Sequence, residues 1–505
     1  VESAKPAQAP GDAIFAEPTL VRCKVELSQE SLAALRTNPR EYAPATVTLD
    51  GEVFAKAGVR LKGAAGSFRQ IDDQPAMTVK FNKFVQGARW KGLKQIHLNN
   101  SVQDPTWLSE YLAGELFRSV GVPATRVAWA QVELGGRDLG TYVLKEAFED
   151  QFLRRSFGND SGNLYDGGFV QDIDQDIERD RGTGPVTRSD LKVLTRAARE
   201  RNPAERWRRL QQTLDVDRFV SYAVVSTMIV DWDGYAMNRN NYRVYFNPAD
   251  GKAVFLPHGT DQLFQRNEIG VEPGWGGMVA QALFELPEGR RLYLERFRQV
   301  FTNQFRVEIM TNLIQRVVSR LKADVPAFAS RGRWATQQVR GRILSLSREP
   351  ELRGLVPGTE IPETIPAEGL RPEEWIGQSQ AEAKFEETES GGVPILRIEA
   401  QGPDAASFRS VVRLPAGRYR FEGRVRTTGV ESVRDNKGEG AGLRISGSTQ
   451  PRKNRVSGDR GWTAVAYEFE VAGEGSEVTL VAELRASRGL AEFDRSSLRV
   501  VPVGR

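Results

Sequence analysis

The 505-residue chain has one cysteine, Cys23, and two histidines, His97 and His258. A lone cysteine excludes an intramolecular disulfide and any cysteine-based zinc cluster. Two histidines exclude a histidine-rich metal centre, and a Ser-His-Asp hydrolase would have to be built on one of them. No Gly-x-Ser-x-Gly elbow is present to supply its nucleophile, and no GxxxxGK[ST] run is present, which excludes an ordinary P-loop. No stretch approaches the roughly 20 apolar residues of a membrane helix. A large excess of one charge is missing too: 70 Lys+Arg face 66 Asp+Glu, a net +4. There is no dense basic block, whereas nucleic-acid binders concentrate positive charge on one face, so nucleic acid is not the expected partner. The opening VESAKPAQAPGDA has no charged segment followed by an apolar one. Such a start belongs either to a cytoplasmic protein or to one whose signal has been removed. The Ala/Pro-rich leader favours the second, a secreted, cell-envelope or periplasmic protein.

What is present is a globular mixture: 40% hydrophobic, 27% charged and 9% aromatic residues, in a chain long enough for two or three folded units. Residues 1–18 read as a flexible tail. From 19 to 146 strand signals dominate, with Asp-Gly and Gly-Gly turns between apolar runs. One helix interrupts them, WLSEYLAGELFRSVG, with Leu108, Tyr111, Leu112, Glu115 and Leu116 at helical spacing, a start marked by Asp104-Pro105 and a stop at Gly121. Residues 147–352 turn helical: DRFVSYAVVSTMIVDW is one apolar helix, and Met310, Leu313, Ile314, Val317, Val318 and Leu321 mark the buried face of another. Two short strands, YRVYF and AVFLP, lie between them, and GNDSGNLYDGGFVQDIDQDIERDRG reads as a solvated loop. A Pro- and Glu-rich linker spans 353–372. Residues 373–505 alternate apolar and polar positions and predict a β-sandwich. In RYRFEGRVR, Tyr419, Phe421 and Val425 share one face, as do Val465, Tyr467, Phe469 and Val471 in TAVAYEFEV.

The densest run of functional groups is DWDGYAMNRNNYRVYFNPADGKAVFLPHGTDQLF, residues 231–264. A β-hairpin returns its ends to one rim, so Asp233, the Asn238–Asn241 group and Asp261 should converge there. A hard divalent cation holding phosphates takes one or two carboxylates, amide oxygens and water, and phosphoryl transfer adds an aspartate that accepts a hydroxyl proton. Helix, Asp/Asn loop, hairpin and second Asp follow the order of these parts in protein kinases, although neither HRD nor DFG is present. Asp and Asn also cap helices and make turns. Five of them at the two ends of one hairpin favour the functional reading.

This run resembles the catalytic segment of the CotH kinase family, atypical protein kinases associated with spore coats, in which W-D-G and then N-Y lead through a hairpin to Pro-x-x-x-Asp. GVRLKGAAGS, MTVKFNKF and GTYVLKEAFEDQFLRR resemble further family segments, in the same order, over residues 20–350. The resemblance implies an α+β fold: a two-lobed atypical protein-kinase-like domain with a β-rich N-lobe (19–146) and a helical C-lobe (147–352), followed by an all-β, jelly-roll-like sandwich. It implies ATP and Mg²⁺ or Mn²⁺ as cofactors and Ser/Thr phosphorylation of exported proteins. Asp233 would be the catalytic aspartate, with Asp231 an alternative. Asp261 and Asn241, or Asn238, would hold metal. Lys80 would contact the phosphates, Lys62 and Gly63 would form a phosphate-facing turn, Glu146 would lie at the lobe junction, and Glu110 would pair with Lys80. Two positions depart from the family: Gly259 stands where relatives carry an aspartate, and KGAAGS replaces a polar KGNSS-type loop. These departures favour a catalytically inert surface or adhesion protein acting by binding, and transfer of AMP on the same fold is a third reading. The ending ASRGLAEFDRSSLRVV resembles jelly-roll carbohydrate-binding modules, which implies polysaccharide as a further partner, with Trp462 and Tyr467 as either sugar platforms or core and Asp494 structural.

Overall fold

The computed structural model describes residues 9–64, 66–184, 186–265, 268–352, 355, 361–372, 375–379, 383–433, 438–448, 451–473 and 475–503. Residues 1–8 of the tail, Ala65 of the glycine loop and residues 353–354 and 356–360 of the linker lie outside them. The chain forms two compact units that divide between Val356 and Pro357.

The first unit opens with seven strands: β1 (Leu20–Glu26), β2 (Ala43–Leu49), β3 (Glu52–Lys62), β4 (Ala76–Lys80), β5 (Gln95–Asn99), β6 (Val127–Leu134) and β7 (Arg137–Glu146). They close into a barrel in the order β1-β2-β3-β4-β5-β7-β6, with β6 returning parallel to β1. Closure pairs every strand on both sides, which removes the aggregation-prone edge an open sheet would expose. The turns obey their sequence: Asp50-Gly51 and Gly135-Gly136 all adopt positive φ, as a two-residue hairpin matched to strand twist requires. Inside sit Val21, Cys23 and Val25, alternate residues of β1, with Val59, Leu61, Val79 and Ile96. Burial pushes the Cys23 thiol up to about 12, so it packs as a small apolar group.

Helix Ser109–Ser119 breaks the run of strands where periodicity placed it. Asp104 accepts the backbone N–H groups of Thr106 (2.9 Å) and Ser109 (2.9 Å), holding the approach to its first turn. Tyr111 meets Trp129 of β6 at 5.5 Å between ring centroids, which ties the helix to the barrel wall.

Beyond the barrel, β8 (Leu164–Asp166), β9 (Glu178–Arg181), β10 (Tyr242–Phe246) and β11 (Ala253–Pro257) form a sheet in the order β11-β10-β8-β9. The segment expected to be a solvated loop therefore supplies two strands. Its Leu164 and Tyr165 are fully buried, and Tyr165 lies opposite Val244. A two-residue apolar run among Asp and Gly is too short to announce a strand. Helix Val216–Met228 is buried on all sides by Phe219, Tyr222, Val224 and their neighbours. In helix Val307–Leu321 the anticipated face is buried except Leu313, which is half-buried. Among the described residues, no helix is long and apolar enough to cross a membrane.

The second unit is all β: β12 (Ile376–Gln378), β13 (Lys384–Ser390), β14 (Val393–Ala400), β15 (Asp404–Leu414), β16 (Gly417–Ser432), β17 (Gly440–Ile445), β18 (Gly458–Val471), β19 (Ser476–Asp494) and β20 (Arg499–Pro502). The 19-residue β19 pairs with β14, β15, β16 and β17, and β16 pairs with β18, β19 and β20. Tyr419, Phe421 and Val425 are buried in its core as their alternation requires, and Val465 and Val471 join them. Tyr467 packs on that core and hydrogen-bonds Ser448 at 2.6 Å, whereas Trp462 is exposed. Asp494 is fully buried, accepting from Ser496 and Ser497 and pairing with Arg424.

Candidate active site

A cleft of about 660 Å³ opens between β3, β4 and β5 of the barrel and the loop and hairpin of residues 233–261, a volume suited to a small-molecule ligand. Asp233 lies on its lining. The turn after helix Val216–Met228 runs through Gly234 into a single helical turn, Tyr235–Asn238, and Arg239 and Asn241 then take positive φ. This path folds three asparagines back onto one carboxylate. Asn238 donates to Asp233 Oδ1 at 2.7 Å, and Asn240 and Asn241 donate to Oδ2 at 3.0 and 2.9 Å. A carboxylate has about four acceptor sites; three are occupied, so one remains for a further proton donor.

The hairpin closes as the sequence implied. His258 N–H donates to the main-chain oxygen of Asn241 at 3.0 Å, and Asp261 follows on the same cleft wall. Gly259 has φ 58, and a Cβ built there would stand 2.6 Å from Asn241 Oδ1. The glycine thus makes room for the Asn241 amide. Burial, with repulsion from Glu110 and Asp104, raises the Asp261 carboxyl to about 7.

Asp231 is distinct from Asp233. It is buried, its Oδ2 accepts from Ser226 Oγ at 3.3 Å, and it does not line the cleft. Burial and the neighbouring Asp233 push its carboxyl up to about 8. A Cβ at Gly234 would lie 2.2 Å from Asp231 Oδ2, so the glycine is needed for this close approach.

On the barrel side the ion pairing differs from expectation. Glu110 pairs with Lys145 of β7, and Lys80 instead lies 3.9 Å from Glu149. Lys62 Nζ donates to Asn99 Oδ1 at 2.6 Å, and Asn99 passes its amide N–H to Glu110. Glu110 therefore faces Lys145 directly and Lys62 through Asn99, with Asp261 close enough to act on both lysines. Burial brings the Lys62 ammonium down to about 8. Burial also opposes ionisation of Glu110, yet Lys145 and Lys62 hold its carboxyl below the ordinary value. Lys80, Lys62 and Gly63 all line the cleft, Gly63 at φ 100.

Glu146, read as a nucleotide-binding residue near the lobe junction, does not line the cleft. It is buried under Arg126, which binds it with Nε and Nη2 at 3.1 and 2.8 Å, and under Arg155 at 2.6 Å, away from the cleft lining. Successive residues of a strand face opposite ways, so Lys145, next to it, turns to Glu110. The sequence reading passed over Lys145, Asn99 and Glu149. The only available signal for Lys145 was that alternation. Arg60, Arg181 and Arg243 also line the cleft, Arg181 paired with Glu149 and Arg243 with Asp166 and Asp180.

Residues 59–340, more than half of the chain, match the family described as CotH kinase protein. The chain belongs to the CotH kinase family. Inner spore coat protein H of Bacillus subtilis is 22% identical over 269 residues, covering 48% of this chain and 72% of that protein. Invasin CotH7 of Rhizopus delemar is 24% identical over 203 residues, 38% of this chain, and the match spans only a third (33%) of the invasin. Among solved structures, the Helicobacter pylori proinflammatory kinase CtkA aligns over 54% of this chain and 90% of its own at 9% identity and a TM-score of 0.24, too low to bear on the fold. The match begins within β3 and ends within helix Ala327–Ser347, and it contains every residue lining the cleft except Tyr42.

The donor set suits a hard cation. Among the described residues, no three His, Cys, Asp or Glu side chains converge as a metal cage. Mg²⁺ does not need one: it is held by one or two carboxylates, with phosphate oxygens and water completing its shell. Asp261 and the Asn241 amide oxygen are oxygen donors on one wall of the cleft.

Proposed function

We propose that this CotH kinase family member is an ATP- and divalent-metal-dependent protein kinase with a two-lobed, kinase-like catalytic domain, acting on Ser or Thr of exported or surface proteins. The observation that carries this reading is Asp233, held by three asparagine amides in the same cleft as Lys62 and Glu110, the latter paired behind the lining with Lys145. Asp233 would accept the substrate hydroxyl proton at its remaining acceptor site. The hydroxyl oxygen forms the new bond to the γ-phosphorus while the bond to the β-phosphate oxygen breaks, and ADP leaves. Lys62, with Lys80 and Arg243, would bind and orient the phosphates. Asp261 and Asn241, with Asn238 nearby, would hold Mg²⁺ or Mn²⁺, which neutralises phosphate charge when bound. The spore-coat and invasin names of the relatives support an exported or surface location.

Gly259 supports an inert, binding-only alternative as a departure from the family pattern. The 2.6 Å approach to Asn241 weighs against it, because an aspartate there would displace an amide from the site. Incubation with γ-labelled and α-labelled ATP plus Mg²⁺ or Mn²⁺ separates the readings. Protein labelled from γ alone supports the kinase, label from α means nucleotidyl transfer, and neither leaves the binding reading. Asp233→Asn is expected to lower γ-transfer by about 10²–10⁴-fold with nucleotide affinity retained. Wild-type turnover in that variant would remove Asp233 from the chemistry.

A further inference from the structure

The second unit carries a trough of about 520 Å³ on the outward face of β16, β18 and β20. Strand alternation places Arg420, Glu422 and Arg424 on that face, opposite Glu468, Ala466 and Ala464 of β18. The two alanines are too short to fill the space beside the long side chains, and they form the floor. Arg371 and Arg499 complete the basic walls. Among the described residues, Glu422 is the one carboxylate lining the trough, and it already binds Arg420 (2.8 Å) and Arg499 (3.0 Å). Arg424 is anchored from below by the buried Asp494, through Nε and Nη2.

Donors remain unused. Among the described residues, Arg371 makes no ion pair, and neither Nη group of Arg420 nor Nη1 of Arg424 has a protein acceptor. Guanidinium groups fixed through one edge offer the other to a planar carboxylate or a sulfate. Beside the trough stands Trp462, still 37% exposed, with Arg426 and Arg424 at 4.9 and 5.9 Å from its ring centroid. Both cations are attracted to the indole, which keeps part of its surface open to solvent. A partly exposed aromatic face suits the C–H face of a sugar ring.

We infer that this face binds an anionic polysaccharide, a sugar ring lying on Trp462 and its acidic group entering the arginine-walled trough. A neutral glycan leaves the surplus arginines unanswered, and a phosphopeptide leaves the indole unused. The site is independent of the kinase reading and would stand if that reading failed.

The test uses the full chain with polygalacturonate, dextran sulfate, neutral dextran and a phosphoserine peptide, at low and physiological salt. Polygalacturonate or dextran sulfate should bind in a salt-sensitive manner, and whichever binds tighter identifies carboxylate or sulfate as the group read. Trp462→Ala, and separately the pair Arg371→Ala with Arg420→Ala, should each weaken that binding at least tenfold with the melting curve unchanged. Binding that survives Trp462→Ala, a neutral dextran that binds equally well, or a peptide that competes as well as the glycan would each overturn the inference. Failure to bind either anionic glycan would overturn it as well.

Discussion

Two aspartates on either side of Trp232 do different work because their surroundings differ. Asp233 faces the cleft and collects amide donors; Asp231 is buried with one hydroxyl and another carboxylate for company. Its folded-state value of about 8 lies above the ordinary 3.8, so between those values the folded chain binds more protons than the unfolded one. Stability is then highest at low pH and falls as pH rises from about 4 towards 8. Asp231→Asn removes this slope. Relative to wild type it should leave stability near pH 4 almost unchanged and raise it near pH 8 by on the order of 1 kcal/mol or more, read as a higher melting temperature there. A variant less stable at both pH values would show that the ionised carboxylate is needed. Gly259→Ala acts through shape. Its Cβ would meet Asn241 Oδ1 at 2.6 Å in a left-handed conformation, so it should disturb the Asn241–Asp233 bond and cut phosphoryl transfer at least tenfold, at a stability cost of about 1 kcal/mol. Unchanged turnover would show that the amide can move without consequence. At this scale much was legible, since Asp233, Asn241 and Asp261 are joined by one hairpin. The partner of Glu110 was not: choosing Lys145 over Lys80 depends on β7 closing against β5 and on which way one strand residue points.

Elements position these side chains, and one buried cation links two of them to the final helix. Arg342, fully buried in helix Ala327–Ser347, donates through Nε to Met228 O (2.9 Å), through Nη2 to Thr227 O (2.7 Å) and through Nη1 to Ile269 O (2.6 Å). The first two acceptors are the last carbonyls of helix Val216–Met228, where the helix dipole favours a cation. The loop that leaves this end carries Asp231 and Asp233, and Ile269 lies shortly beyond Asp261. Burial lowers the guanidinium to about 10, so it stays charged throughout the physiological range. Arg342→Leu strands several buried carbonyls and should cost about 3 kcal/mol or more, with turnover falling further than the loss of folded protein explains. Arg342→Lys keeps the charge but cannot span the carbonyls and should lie between. A leucine variant with wild-type melting would show that water replaces the arginine without loss. Helices and hairpins were readable because their signals are local: helical spacing for Ser109–Ser119 and the NPADGK turn between β10 and β11. Barrel closure, and the β8–β9 pair hidden in an Asp/Gly-rich segment, rest on contacts distant in sequence that no local pattern encodes.

At the scale of the whole molecule, the two compact units divide between Val356 and Pro357, within the 353–372 stretch read as a linker. The stretch read from its Pro and Glu content as linker is not uniform, however. Ile365 and Leu370 pack against the core of the second unit, and Leu370 exchanges both backbone hydrogen bonds with Val500 of β20, at 2.8 and 2.9 Å. Ile361 touches the same unit, where its side chain would stand 2.7 Å from a Cβ at Gly475. Pro and Glu reported the lack of helix or strand periodicity, but an extended segment can still donate a few apolar anchors to a neighbouring sheet. These anchors decide where the second unit can be cut. A fragment of residues 357–505 should unfold in one cooperative transition. A fragment of residues 373–505 loses two half-buried aliphatic side chains and a pair of backbone hydrogen bonds, which together stabilise by about 2–4 kcal/mol. It should therefore melt several degrees lower, and the first unit, residues 1–356, should melt as it does in the full chain. Calorimetry on the three fragments decides the matter: equal melting of the two C-terminal fragments would assign Ile365 and Leu370 to the linker, and loss of a cooperative transition in 1–356 would mean that the units depend on each other to fold.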